Sequence, residues 1–494
     1  TLQDDLDHLV QVASEYMLAC EEAADGVRRV EAKARSAQEI SAEIGYPIKE
    51  DGSLDPFVPE YEDNKPVPGL QVPPMNSQTF ASVVKQSKYG ELQQCIADAL
   101  RIAEEVDAAL EKRLSALANG TFDGGGAREG RDSKSPGLPD DADPSWSPAE
   151  VSAWWHALSD AERQECIERD PATYGNLDGI DMASRSQANL NRLSVELAAA
   201  QAEYDKFVKD RDELLRKNID QKYPEEEQME KAKNKLDDLQ KIQENLTAHP
   251  DRSLLVLDIS GPKRVRAAVA IGDVDTADHV ATFVPGMGTN PADKLDEYTG
   301  NVQRLKDRMD YAQNGSCATI AWLGYDAPPG FLEPGWGDVT EVDLARDGAE
   351  RLSSFVEGIN TSRAVSGASK PHQTVLGHSY GSTTAGFAAD HVRAGGIDDL
   401  VLFGSPGSGV HDVREYNLTP GHVYASAVDS HDIVQGLGTD EDFGVDPMDL
   451  DGVTHISGNV PEPDGYSWML SPTGRHGTYM NEGSEALKDM ARVA

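Results

Sequence analysis

Apolar residues recur at every third or fourth position through the first half of the chain, and in short alternating or unbroken runs through the second. The first spacing lines one face of a helix and the second suits strands, so the pattern divides the chain into a helical half and an α/β half. Leu6, Leu9, Val10, Ala13 and Met17 begin one amphipathic helix reaching about Ala42, and a second runs from about Phe80 to Leu117. Residues 45–74 between them are rich in Pro, Gly, Asp and Glu and read as a loop, so residues 1–118 are predicted to form a long helical hairpin. Residues 119–147 carry Gly124-Gly125-Gly126 and almost no aliphatic side chains. Such a segment buries too little to fold alone and reads as a flexible linker.

Residues 148–249 return to the helical pattern. Ser147 as N-cap, Pro148 at the first helical position and Glu150 three residues after the cap form a capping box, which Ser159 and Glu162 repeat. Residues 182–223 and 225–246 carry coiled-coil-like apolar stripes. Pro224 removes a helical hydrogen bond and disfavours the α conformation at Tyr223, which predicts two antiparallel helices in place of one rod. After His249-Pro250, β-rich runs at 254–259, 265–271, 280–284, 318–323, 374–376, 400–403 and 422–427 alternate with helix-length stretches such as 294–311 and 342–359. This alternation predicts a mostly parallel sheet flanked by helices over residues 250–494, with the first two strands antiparallel because they are joined too briefly for a crossover.

The formal net charge of −41 repels phosphate backbones, so nucleic acid is excluded as a partner class. Cys20, Cys95, Cys166 and Cys317 lie far apart and form no metal-ligand or disulfide pattern. No apolar run is long enough to span a bilayer, and the first residues lack the basic-then-apolar layout of a signal peptide. The expectation is a cytoplasmic protein, or one secreted by a route that needs no such peptide.

Chemistry concentrates in the second half. A strand ending near Leu376 runs into Gly377-His378-Ser379-Tyr380-Gly381, followed by a helix-compatible run through Val392. A G-x-S-x-G turn between strand and helix is the setting of a nucleophile elbow, and makes Ser379 the candidate nucleophile of an α/β-hydrolase fold preceded by an all-α region. The strand at 280–284 ends in Pro285-Gly286-Met287-Gly288-Thr289, where an oxyanion loop belongs, so the backbone N–H groups of Met287 and Tyr380 are the candidate oxyanion donors. A serine hydroxyl needs a base, and the base needs a carboxylate; along such a chain the order is Ser, acid, His. His476, in a loop before the last helix, is the best-placed base, with His455 in reserve. Asp429 and Asp432 both follow the strand at 422–427; Asp432 is favoured as the acid and Asp429 is the alternative. This set of residues calls for no metal and no organic cofactor.

Asp432-Ile433-Val434 after a strand, with a final His476-Gly477-Thr478-Tyr479, resembles the acid and base segments of class 3 lipases. Trp154-Trp155, Gly175-Asn176-Leu177-Asp178-Gly179-Ile180 and Gln187-Ala188-Asn189, taken with the segments at 285–289 and 377–381, resemble an actinobacterial α/β-hydrolase family known as domain of unknown function 1023. That resemblance covers about Trp146 to the C-terminus and implies a serine hydrolase with a helical preface and no settled substrate. The region before residue 120 is similar to the helical hairpins of type VII secretion substrates, although their Trp-x-Gly turn has no counterpart here. Asp178 could cap a helix or reach the active-site rim, and the structural role is favoured; Trp154 and Trp155 read as helix packing.

The reading that results is a serine esterase or lipase-like hydrolase acting on a small-molecule or lipid ester. The alternatives are a secretion-linked interaction or effector protein whose helical half docks a protein partner and whose hydrolase fold is a binding platform, and a peptidase or acyltransferase using the same residues.

Overall fold

The computed structural model describes residues 77–119, 146–216, 225–330, 342–428, 432, 434, 439–461 and 474–494, with short runs between 23 and 56. The first part of the helix expected over residues 2–42, most of the linker at 119–147, Pro224 and Asp429 lie outside the described residues, while the described positions between 23 and 42 are helical. The chain falls into two compact units, residues 1–124 with 439–444 and residues 125–438 with 445–494.

In the first unit, helix α1 (Ser77–Asn119) packs through Tyr89, Leu92 and Cys95 on Ala37, Ile40 and Ile44. The second unit opens with α2 (Pro148–Ala157) and α3 (Asp160–Arg169), each started by the expected capping box, with Ser147 and Ser159 as N-caps. Helices α4 (Met182–Arg216) and α5 (Glu226–Ala248) run antiparallel, linked on their flank by Lys235 and Glu203 at 2.7 Å. Their apolar stripes are not a separate coiled coil, because Leu193, Ala200, Leu236, Leu239 and Ile242 share one core with the sheet. A stripe this wide needs a surface to cover, and the sheet offers it. Trp155 is buried, stacks with Tyr174 and donates to Asp181 at 2.8 Å. Asp178 pairs with the buried Arg185 and accepts from Ser354 at 2.7 Å, so its role is structural.

The sheet has eight strands: β1 (Arg252–Asp258), β2 (Arg266–Ile271), β3 (His279–Val284), β4 (Cys317–Leu323), β5 (His372–His378), β6 (Asp399–Phe403), β7 (Val423–Ser426) and β8 (Thr454–His455). Their order is β1-β2-β4-β3-β5-β6-β7-β8, with β2 antiparallel to both neighbours and the other pairs parallel. Strands β2, β4 and β6 are buried at every residue, which is why they read as unbroken apolar runs. The sequence pattern missed β8, two exposed polar residues without periodicity. Helices α6 (Pro291–Ala312), α7 (Asp343–Ser366), α8 (Tyr380–His391) and α9 (Glu485–Val493) are the longer helices among and after the strands.

At the N-terminal end of the central strands, the buried Asp399 bridges His372 at 2.6 Å and His422 at 2.7 Å. Burial pushes the Asp399 carboxyl up, but its two histidine bonds outweigh that and hold it below its ordinary value. The Asp399 bond raises His372 despite partial burial. A lowered acid stabilises above its unfolded pKa of about 3.9, and a raised histidine does so below about 6.5, fading as pH climbs through the folded value. Asp399→Asn is therefore expected to cost about 2 kcal/mol near pH 5 and less near pH 9, as thermal unfolding at the two pH values would show.

Candidate active site

Strand β5 delivers the chain to Ser379 and α8 carries it away. Ser379 sits at φ 57° and ψ −136°, the positive φ of a non-glycine residue seen nowhere else among the described residues. That conformation is costly for a side chain with a Cβ and persists only where its surroundings enforce it. Here the Ser379 N–H donates to the Phe403 carbonyl at 3.0 Å, and the Ser379 carbonyl accepts from the Ser382 N–H at 2.8 Å. Gly381 leaves the room: a Cβ there would lie 2.4 Å from the carbonyl oxygens of Val284 and Pro285. The Ser379 hydroxyl is buried and makes no hydrogen bond among the described residues, so its proton is committed to no acceptor there.

The loop after β3 passes directly against this serine. A Cβ on Gly286 would fall 2.6 Å from Ser379 Cβ and 2.9 Å from its Oγ. Three bonds hold the loop: Tyr325 donates to the Pro285 carbonyl at 2.6 Å, Thr289 Oγ1 donates to the Gly286 carbonyl at 2.5 Å, and the Gly288 N–H donates to the Pro328 carbonyl at 2.7 Å. Burial raises the Tyr325 phenol well above its ordinary value, which keeps it a donor. The structure thus sets Met287 beside the elbow, while Tyr380 opens α8, whose N-terminal amides favour negative charge.

His476 and Asp432 are brought together from distant loops. His476 Nδ1 lies 3.0 and 2.9 Å from the two Asp432 carboxylate oxygens. Because a carboxylate only accepts, Nδ1 carries the proton and Nε2 keeps its lone pair. The Asp432 side chain is fully buried, which pushes its carboxyl up; the His476 bond and the Val434 N–H at 3.1 Å outweigh this and hold it below its ordinary value. Tyr479 adds a further donor to Asp432 at 3.3 Å and accepts from the Val428 N–H at 3.1 Å. His378 donates from Nε2 to the His476 carbonyl at 2.8 Å, and burial together with the neighbouring His476 lowers it to about 3, so it is a neutral ring. His455 lies exposed on β8, and His422 is engaged by Asp399 at the opposite end of the strands.

Ser379, His476, Met287 and His378 line one cavity of about 400 Å³, whose walls include Phe283, Val434 and Met480 on the apolar side and Lys294, Glu297 and Asn301 on the polar side. A second cavity of about 450 Å³, around Asp178, Trp322 and Phe355, contains neither Ser379 nor His476. Sequence reasoning missed Tyr325, Thr289, His378 and Tyr479 as supports; only the position of His378 and Tyr479 inside the two motifs could have drawn attention to them.

An alpha/beta hydrolase family model matches residues 261–440. The chain is 35% identical over 236 residues to an uncharacterized protein of Mycobacterium tuberculosis, covering 46% of this chain and 85% of that relative. The chain belongs to the alpha/beta hydrolase family. A second uncharacterized M. tuberculosis protein is 30% identical to this alpha/beta hydrolase over 422 residues, 78% of this chain and 62% of the relative. Among solved structures, this alpha/beta hydrolase is similar to a dienelactone hydrolase from Anabaena variabilis, with 15% identity, TM-score 0.29 and coverage of 49% of this chain and 95% of that one. It is also similar to a cutinase from Trichoderma reesei, with 17% identity, TM-score 0.22 and coverage of 33% of this chain and 66% of that one. Among the described residues, no helix is long and apolar enough to cross a membrane.

Proposed function

We propose that this alpha/beta hydrolase cleaves carboxylic esters through an acyl-enzyme, with Ser379 as nucleophile, His476 as base and Asp432 as the acid that orients it. The observation that carries the reading is the conjunction of an uncommitted, strained Ser379 with an Asp432-held His476 on the wall of one cavity. His476 Nε2 takes the Ser379 proton as Oγ bonds to the ester carbonyl carbon, and the electron pair moves to the carbonyl oxygen. The Met287 and Tyr380 amides hold that oxyanion. His476 then returns the proton to the departing alcohol. A water molecule repeats the sequence on the acyl-enzyme and releases the acid.

Labelling of the full chain by a fluorophosphonate, alongside hydrolysis of p-nitrophenyl esters of increasing chain length, tests this directly. A folded protein that neither labels nor turns over any ester refutes it.

The oxyanion loop supplies its own check. Because a Cβ at Gly286 must displace Ser379 or the loop, Gly286→Ala is expected to lower kcat by about 100-fold while the protein still folds, measured by ester kinetics beside a thermal melt.

A further inference from the structure

The polar wall of the catalytic cavity comes from one helix. Lys294, Tyr298 and Asn301 stand at i, i+4 and i+7 on α6 and so share a face, the face that lines the cavity. Of these three, Tyr298 has spent its donor and Lys294 is anchored in an ion pair. The Lys294 ammonium pairs with Glu297 at 2.8 Å. The Thr289 hydroxyl proton goes to the Gly286 carbonyl, so Tyr298, 3.4 Å from Thr289 Oγ1, is the donor of that pair.

Asn301 differs. It is 7% exposed, and Arg304 Nη2 donates to its Oδ1 while Arg304 Nε is held by the Met480 carbonyl. A guanidinium can only donate, so the amide oxygen must face Arg304 and the NH₂ group is turned away from it. That NH₂ group has no protein hydrogen-bond partner among the described residues and retains some contact with solvent. A donor on the cavity wall with no protein partner is open to a ligand that supplies an acceptor. The ligand group should be neutral: Asp293 and Glu297 outnumber Lys294 on the same rim and disfavour an anion.

Resting on the esterase reading above, we propose that Asn301 forms a specificity subsite, and that the substrate is an ester bearing a neutral hydrogen-bond acceptor, an ether, hydroxyl or carbonyl oxygen, in place of a bare alkyl chain. The acceptor could stand in the acyl or the alcohol part, and the test has an arm for each. The first compares p-nitrophenyl β-methoxypropionate with p-nitrophenyl valerate, in which an ether oxygen replaces one methylene. The second compares methoxyethyl acetate with butyl acetate.

The readout is the ratio of kcat/KM, ether over alkyl, within each protein, so general losses cancel. Wild type is compared with Asn301→Asp, which keeps the acceptor for Arg304 but removes both N–H donors, and with Asn301→Leu. In one arm the ratio is expected to fall about tenfold in both variants, the worth of one hydrogen bond. Asn301→Asp preserves the Arg304 contact and so carries the test should the leucine variant fail to fold. Equal ratios in wild type and Asn301→Asp in both arms, with alkyl esters still turned over, overturn the subsite and leave the esterase reading standing. A wild type that hydrolyses none of the four esters overturns both.

Discussion

Ser379→Ala is expected to abolish fluorophosphonate labelling and to lower kcat for p-nitrophenyl ester hydrolysis by about 10⁴-fold or more, and His476→Ala to do nearly the same. The two losses should not add. A hydroxyl without a base is a weak nucleophile, and a base without the hydroxyl has nothing to deprotonate, so the double variant is expected within about tenfold of either single one. The residual rate in all three would come from the amides around Met287 and Tyr380 and from binding in the cavity. Stability moves in a different way. Ser379 carries the strain of a positive φ, and alanine inherits it, so Ser379→Ala should change the melting temperature little. A double variant that loses the product of the two single losses would mean that Ser379 and His476 act independently, and the base assignment would fall.

The parts of this arrangement legible in the sequence are those fixed by local chemistry. Gly377 and Gly381 flank Ser379 between a β-rich run and a helical one because the start of α8, at Ser382 and Ala385, packs against Gly377 and the carbonyls of Val284 and Pro285 press on Gly381; the pentapeptide and its flanks record that crowding. The capping boxes at Ser147 and Ser159 are equally local. The strands of the sheet centre declared themselves because burial on both faces demands unbroken apolar runs. What escaped notice depends on segments far apart in the chain. Tyr325 reaches Pro285 across 40 residues, and Tyr479 reaches Asp432 across 47, with no periodicity to mark either. The union of α4 and α5 with the sheet core escaped for the same reason, since a coiled-coil stripe looks alike whether its partner is a helix or a sheet. Asn301 was invisible because its meaning lies in Arg304 facing its oxygen, which spacing alone cannot state.

Asp432→Asn is expected to lower kcat by about 10⁴-fold, and Asp429→Asn by less than about threefold. The argument rests on which nitrogen of His476 carries the proton. Asp432 accepts from Nδ1 with both oxygens, and that bond leaves the Nε2 lone pair for Ser379. An asparagine can present its NH₂ group to Nδ1, and the ring then moves its proton to Nε2, where it can no longer accept one. The Val434 N–H, which donates to Oδ1 of Asp432, holds the amide oxygen at that position, leaves the NH₂ group at the Oδ2 position 2.9 Å from Nδ1, and so favours that wrong tautomer. Geometry is preserved while function is lost, and the folded variant should bind substrate with KM nearly unchanged. The measurement is steady-state ester hydrolysis by the two variants side by side, with thermal melts to show that both fold. If Asp429→Asn proves the crippled one and Asp432→Asn retains most of its kcat, the carboxylate that orients the base is Asp429, and the bonds gathered around Asp432 serve the fold.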